Sequence, residues 1–184
     1  MELDYLKYVS SGLDRDAVLM DLMNAYGNDV WNFAFFLVRR ADAADDISQE
    51  VFLAAYDKLY TYRGEAGIRS WLLAITRNKS YKHNRSAFLT RIVHLDYAQR
   101  RGTARSAEAE AFDRLETRHI WDTVMRLPLR FREVILLDAH YQLPLQDISA
   151  MLRVPEGTVK SRLHRARKKL SALLNDDGQG EDER

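Results

Sequence analysis

The sequence predicts an all-α protein of two small helical domains joined by a flexible linker. Three observations carry that expectation. Apolar residues recur at three-and-four spacing along most of the chain, while strand-type alternation is scarce. Glycine and proline number only 8 and 3 in 184 residues, so long helices can run without interruption. Two apolar-rich blocks flank a polar middle, and this length suits one compact domain or two small ones.

The first block runs from about Arg15 to Arg85 within a domain expected to span residues 1–86. Its opening helix places Val18, Leu19, Leu22, Met23, Tyr26, Val30, Phe33, Ala34 and Leu37 on one stripe, with Gly27–Asn28 as the point where a kink can fall. A second helix begins near Asp42, whose carboxylate suits an N-cap, with Asp45 in the first turn. It buries Ile47, Val51, Phe52, Ala55 and Leu59. The stretch YTYRGEAGIRS breaks the pattern with two glycines. Ser70 then suits the cap of a third helix, WLLAITRNKSYKHNR, which buries Trp71, Leu72 and Ile75.

Residues 87–111 show little apolar periodicity beyond IVHL and read as a linker with a short extended piece. The second block spans residues 112–174 and starts near Phe112, with Leu115, Ile120, Val124 and Leu127 on one helix. Pro128, well suited to a first helical position, opens the next, which turns Phe131, Val134, Ile135 and Leu137 inward. LPLQDISAMLRV forms a short helix with Leu145, Ile148, Met151 and Leu152 on one side. Pro155 opens the last helix at its first position, beside Glu156. Residues 175–184 read as an acidic, disordered tail.

Several function classes drop out. With no cysteine there is neither disulfide nor thiolate metal site, which fits a reducing cytoplasm. No run approaches the roughly 18 to 20 uncharged apolar residues of a membrane span, and the N-terminus MELDYLKYVSSGLDRD lacks the pattern of a signal peptide. The five histidines form no metal-binding pair, and no phosphate loop or nucleophile motif appears. No catalytic residue, cofactor or metal is therefore expected. The net charge of +1 hides strong segregation, with acid in ADAADDISQE and base in RNKSYKHNR and VPEGTVKSRLHRARKKL. Local basic stripes of this kind are the footprint of a nucleic-acid binder.

On a helical wheel, Val159, Leu163, Ala166, Leu170 and Leu174 share one face of the last helix. Gly157, Ser161, His164, Arg165 and Lys168 occupy the opposite face, with Lys160, Arg162 and Arg167 on the flanks. A short amphipathic helix, a tight turn and a basic amphipathic helix make the helix-turn-helix pattern, whose second helix enters the DNA major groove. The bare Gly157 would let the backbone approach a phosphate closely. A plain helical hairpin with solvated charges shares the pattern but leaves so clean a split without a purpose.

The string LPLRFREVILL…LPLQDISAMLRVPEGTVKSRLHRARKKL closely resembles the C-terminal promoter-binding domain of extracytoplasmic-function (ECF) bacterial sigma factors. ADDISQEVFLAAY resembles that family's polymerase-binding helix, and YRGEAGIRSWLLAITRNKSYKH its promoter-melting segment. The resemblance implies that Asp46, Gln49 and Glu50 meet a basic coiled coil of bacterial core RNA polymerase. It implies that Tyr60, Tyr62, Arg63, Ile68 and Trp71 capture an extruded base of the downstream (−10-type) element, while Arg77, Asn78 and Lys82 hold the strand. Trp71 doubles as a core residue touching DNA at its edge. In the upstream (−35-type) element, Ser161, His164 and Arg165 would read base edges, and Gly157, Thr158, Lys160, Arg162 and Lys168 would line the backbone. Promoter DNA and a cognate anti-sigma factor are the further partners implied. Three departures stand out: Ala74 where Arg is common, Pro144 where Ser often caps, and Arg153 where the turn often has Gly. Arg153 then needs a left-handed backbone. A stand-alone helix-turn-helix regulator is the rival reading, and it would need no acidic polymerase-binding helix.

Overall fold

Asp14 opens the first helix. Its backbone is extended and its carboxylate accepts from the Asp16 N–H at 3.0 Å, satisfying a donor that a helix start leaves unpaired. The computed structural model describes residues 14–62, 64–93 and 115–179. The chain divides into two units, Met1–Ala104 and Arg105–Arg184.

In the first unit, α1 (Arg15–Val38) runs through Gly27 and Asn28 without the expected break. A Cβ at Gly27 would meet nothing within 4 Å, so packing does not require glycine there. Arg39 closes the helix in the left-handed region, its N–H donating to the Phe35 carbonyl at 2.7 Å. The chain turns at once into α2 (Ala41–Lys58), followed by a 3-10 turn, Leu59–Thr61. Asp42 is not the N-cap. Arg40 holds that position, and Asp42 sits inside the first turn, ion-paired to the Arg40 guanidinium, which holds its carboxyl below the usual range. The third helix, α3, is Ile68–Val93. The Gly67 carbonyl accepts from the Trp71 N–H at 3.0 Å, so Ser70 lies within the first turn, buried, rather than capping it. Residues 87–93 are helical rather than linker, including Ile92 and Val93 of the expected extended piece. Residues 94–111 lie outside the described residues.

The three helices pack on one another around Leu22, Val30 and Ala34 of α1, Ala44, Ile47, Val51 and Ala55 of α2, and Leu72 of α3. Polar ties fix the antiparallel register of α1 and α2 at both ends. Trp31 Nε1 donates to Asp45 at 2.6 Å; at the other end Tyr56 donates its hydroxyl proton to Asp16 at 2.9 Å. Asn84 Nδ2 reaches the Leu37 carbonyl at 3.3 Å and ties α3 to the end of α1. Met23, expected inward, is 47% exposed.

The second unit comprises α4 (Leu115–Arg126), α5 (Leu129–Ile135) continuing as a π-helical turn (Leu136–His140), α6 (Leu145–Leu152) and α7 (Glu156–Gln179). Phe112 lies outside the described residues. Val124 and Leu127 are buried as their spacing predicts, but Ile120 is 45% exposed. Pro128 occupies the N-cap of α5, one position earlier than expected, and its carbonyl accepts from Phe131 and Arg132. Pro155 likewise precedes α7, accepting from Thr158 at 2.8 Å and Val159 at 3.2 Å. Helix α7 carries on through residues 175–179, which were expected to be tail; residues 180–184 lie outside the described residues.

The turn between α6 and α7 is a Schellman motif. Val154 N–H bonds to the Ser149 carbonyl at 3.2 Å and Arg153 N–H to Ala150 at 3.3 Å. Arg153 sits at φ 55°, ψ 47°, the left-handed backbone that the family resemblance implies for this turn. Pro144 begins α6 without a side-chain cap bond. A left-handed non-glycine residue costs about 1 kcal/mol, partly offset because glycine loses more backbone entropy on folding. Arg153→Gly should therefore stabilise this unit by up to about 1 kcal/mol, and the β-branched Arg153→Val should destabilise it. Denaturant midpoints of the two variants check both signs.

Candidate polymerase and nucleic-acid surfaces

The buried positions of α2 fix what its other face shows. With Ile47, Val51 and Ala55 inward, Asp46, Gln49 and Glu50 stand exposed on one outward ridge. Leu53, 65% exposed, lies in the middle of that ridge, a position the sequence reading did not single out. Its signal was available: Leu53 is three and four residues beyond Glu50 and Gln49, which places it on their face. Lys79 of α3 donates to Glu50 at 2.8 Å. That bond holds the Glu50 carboxyl below its usual range, with the charges of Lys79, Lys82 and His83 acting in the same direction.

The glycine-containing stretch brings only part of the expected base-capturing set together. Tyr62 and Trp71 are half-buried, with ring centroids 5.0 Å apart, and the Tyr62 hydroxyl donates to the Ala66 carbonyl. Ile68 is in the core, 5% exposed, and offers no surface to a base, contrary to expectation. It begins α3, where the first turn packs inward. Tyr60 is exposed but belongs to a different cluster. The Arg15 guanidinium lies 4.0 Å from the Tyr56 ring centroid and 4.8 Å from that of Tyr60. Arg63 lies outside the described residues. Along α3, Asn78 and Lys82 are exposed and Ala74 is half-buried, while the Arg77 guanidinium lies 4.4 Å over the Tyr81 ring.

The wheel drawn for α7 matches its burial. Val159, Leu163 and Ala166 are buried, and Gly157, Lys160, Ser161, His164, Arg165 and Lys168 are exposed. Thr158 and Arg162 are half-buried at the edges. Ser161 Oγ donates to the Thr158 carbonyl at 2.9 Å, and a Cβ on Gly157 would meet nothing within 4 Å. Arg167 on the flank is tied to Asp138 of the π-helical turn at 2.6 Å, so it braces the helix against its own unit. Among the described residues no cluster of His, Cys, Asp or Glu could hold a metal, and no helix is long and apolar enough to cross a membrane.

The depressed Glu50 carboxyl has a definite sign. Its stabilising bond is present above the unfolded-state value and is lost as pH falls through the lower folded value. Both side chains are solvent-accessible, 30% for Lys79 and 56% for Glu50, so the pair contributes at most about 0.5 kcal/mol. Lys79→Met should return the Glu50 titration towards the ordinary carboxylate range with little loss of stability. Carboxyl NMR titration of the two proteins measures this.

The family model described as Sigma-70 region 2 matches residues 22–94, and that described as Sigma-70, region 4 matches residues 118–170. The chain is 31% identical to the ECF RNA polymerase sigma factor SigC of Mycobacterium tuberculosis over 91% of its length and 88% of that protein. It is 31% identical to EcfG of Rhodopseudomonas palustris over 79% of each chain. SigW of Bacillus subtilis is 27% identical over 93% of this chain and 95% of its own. Among solved structures, CnrH in complex with the cytosolic domain of CnrY superposes with a TM-score of 0.66 at 26% identity, covering 94% of this chain and 96% of that one. RpoE in complex with the anti-sigma factor NepR from Bartonella quintana shares the fold, with a TM-score of 0.71 at 22% identity, covering 85% and 96%. Two sigma family models match the chain in order, relatives at 31% identity span most of it, and the protein belongs to the extracytoplasmic-function family of RNA polymerase sigma factors.

Proposed function

We propose that this sigma factor binds bacterial core RNA polymerase through the α2 ridge, recognises the upstream promoter element with α7, and helps open the downstream element with the surface around Tyr62, Trp71 and Asn78. The observation that carries the reading is the division of α7: an apolar face seated in a helix-turn-helix unit, and an outward face of Ser161, His164, Arg165 and Lys168. The first unit then serves polymerase binding and melting, and the second serves duplex recognition. The protein makes and breaks no bonds; the polymerase's metal ions do that in the cytoplasm. CnrH and RpoE were each solved with a partner, CnrY and the anti-sigma factor NepR, and we propose a partner of that kind here.

Charge complementarity between the α2 ridge and a basic partner governs orientation and on-rate. Asp46→Lys is the cleaner probe, because Glu50 is already engaged with Lys79. It should weaken co-elution with core polymerase about tenfold or more while leaving helicity intact. Unchanged affinity, or specific duplex binding without any polymerase, would favour the stand-alone regulator instead.

On α7 the two cation types should separate. Arg165 faces outward beside Ser161, and its planar fork can match the paired acceptors of guanine. Arg165→Ala should cost about 1 to 3 kcal/mol and relax preference at one base position. Lys160 stands on the flank, where Lys160→Ala should weaken all sequences alike and shallow the salt dependence by about one unit of slope. Binding of the holoenzyme to single-base promoter variants at several salt concentrations separates the two.

A further inference from the structure

We propose that the C-terminal half of α3 carries a second stacking site for unpaired bases, formed by the rings of Tyr81 and Phe88, with Arg85 on the strand between them. The inference rests on the promoter-opening reading above and extends it along the helix.

Phe88 is 63% exposed and Tyr81 half-buried. Seven residues separate them, two helical turns, so their rings leave α3 on the same side. That side is not the packing side, which holds Leu72, Thr76 and Ser80, all fully buried. Tyr81 is already held in a stack, with the Arg77 guanidinium 4.4 Å over its ring. Guanidinium planes and aromatic rings are the two surfaces on which unpaired bases rest. Exposed Asn78, Lys82 and Arg85 stand beside the rings.

The composition of α3 selects the ligand. From Ile68 to Val93 it contains no acidic residue, whereas cations recur at Arg69, Arg77, Lys79, Lys82, Arg85 and Arg91. Cations alone would suit a duplex backbone. Rings standing out among them add nothing to a duplex, whose base faces are closed, but suit a strand whose bases are free. At about 1.5 Å rise per residue the two rings lie roughly 10 Å apart, too far to stack on one base, so each takes a different base of the strand. The strand passing Trp71 and Asn78 therefore continues along the helix.

The test uses the full chain assembled with core polymerase and two fluorescent probes: a duplex carrying a pre-melted mismatch bubble, and the same duplex fully paired. Phe88→Ala and Tyr81→Ala should each weaken bubble binding about tenfold, in line with stacking at other single-strand sites. Phe88→Trp should stay within twofold of wild type, as should duplex binding and polymerase affinity for all three variants. Bromodeoxyuridine placed in the bubble should photocrosslink to Tyr81 or Phe88. Bubble binding within twofold of wild type for Phe88→Ala would overturn the proposal. Equal losses on bubble and duplex would replace stacking by a backbone contact, and lost polymerase affinity with intact DNA binding would make the patch a protein contact; either result also overturns it. A wild-type complex that does not prefer the bubble at all would instead sink the opening reading on which the site rests.

Discussion

A helix that must bury one stripe has no freedom over the direction of the opposite stripe, and that constraint sets the surfaces of this protein. Val159, Leu163 and Ala166 are locked into the second unit, so Ser161, His164 and Arg165 are turned outward on the opposite side of the helix. Ile47, Val51 and Ala55 likewise turn Asp46, Gln49 and Glu50 outward on α2, where Glu50 also takes a bond from Lys79. Fully burying one aliphatic side chain contributes about 1.5 to 3 kcal/mol, several times what an exposed ion pair does. Packing therefore orients these faces, and ion pairs such as Glu50–Lys79 and Arg167–Asp138 add little to that. The like-charge crowding on α7 is tolerated because the apolar face holds the helix.

Polar contacts refine what packing establishes. The Trp31–Asp45 and Tyr56–Asp16 bonds pin α1 and α2 at both ends, and Arg167–Asp138 braces α7 against the π-helical turn. Glu50–Lys79 is of another kind, because it joins the acidic ridge of α2 to the basic helix α3. Any cation that competes for Glu50 would free Lys79 beside Asn78 and Lys82, so the two helices share a charge. In the second unit Arg153 stands in the left-handed region so that the turn before α7 can close.

Much of this was legible in the sequence, because period and charge are local properties. The division of α7 and the inward set of α5 follow from spacing, whereas the left-handed Arg153 follows from the family resemblance of the turn. Helix starts were less legible. Asp42 and Ser70 are good capping residues, but Arg40 and Gly67 hold the positions before α2 and α3, and side-chain chemistry alone does not show where the backbone turns. Helix ends were set too early at Arg85 and Leu174. No glycine or proline stands between Arg85 and Val93, and α7 runs on through Gly178 to Gln179, so both helices extend further. Ile68 and Tyr60 were grouped with the base-capturing residues because they flank the same loop. Tertiary packing draws Ile68 into the core and gives Tyr60 to Arg15.

We propose that the two outward faces act together, one on polymerase and one on promoter DNA. The direct measurement is transcription by purified core polymerase on a fragmented bacterial genome, with and without this protein, followed by sequencing of transcript starts. The account predicts starts that depend on the added chain and share two sequence boxes at fixed spacing upstream, with Ser161→Ala, His164→Ala or Arg165→Ala altering preference in the upstream box alone. Starts unchanged by the protein, or a protein that selects DNA equally well without polymerase, would contradict it.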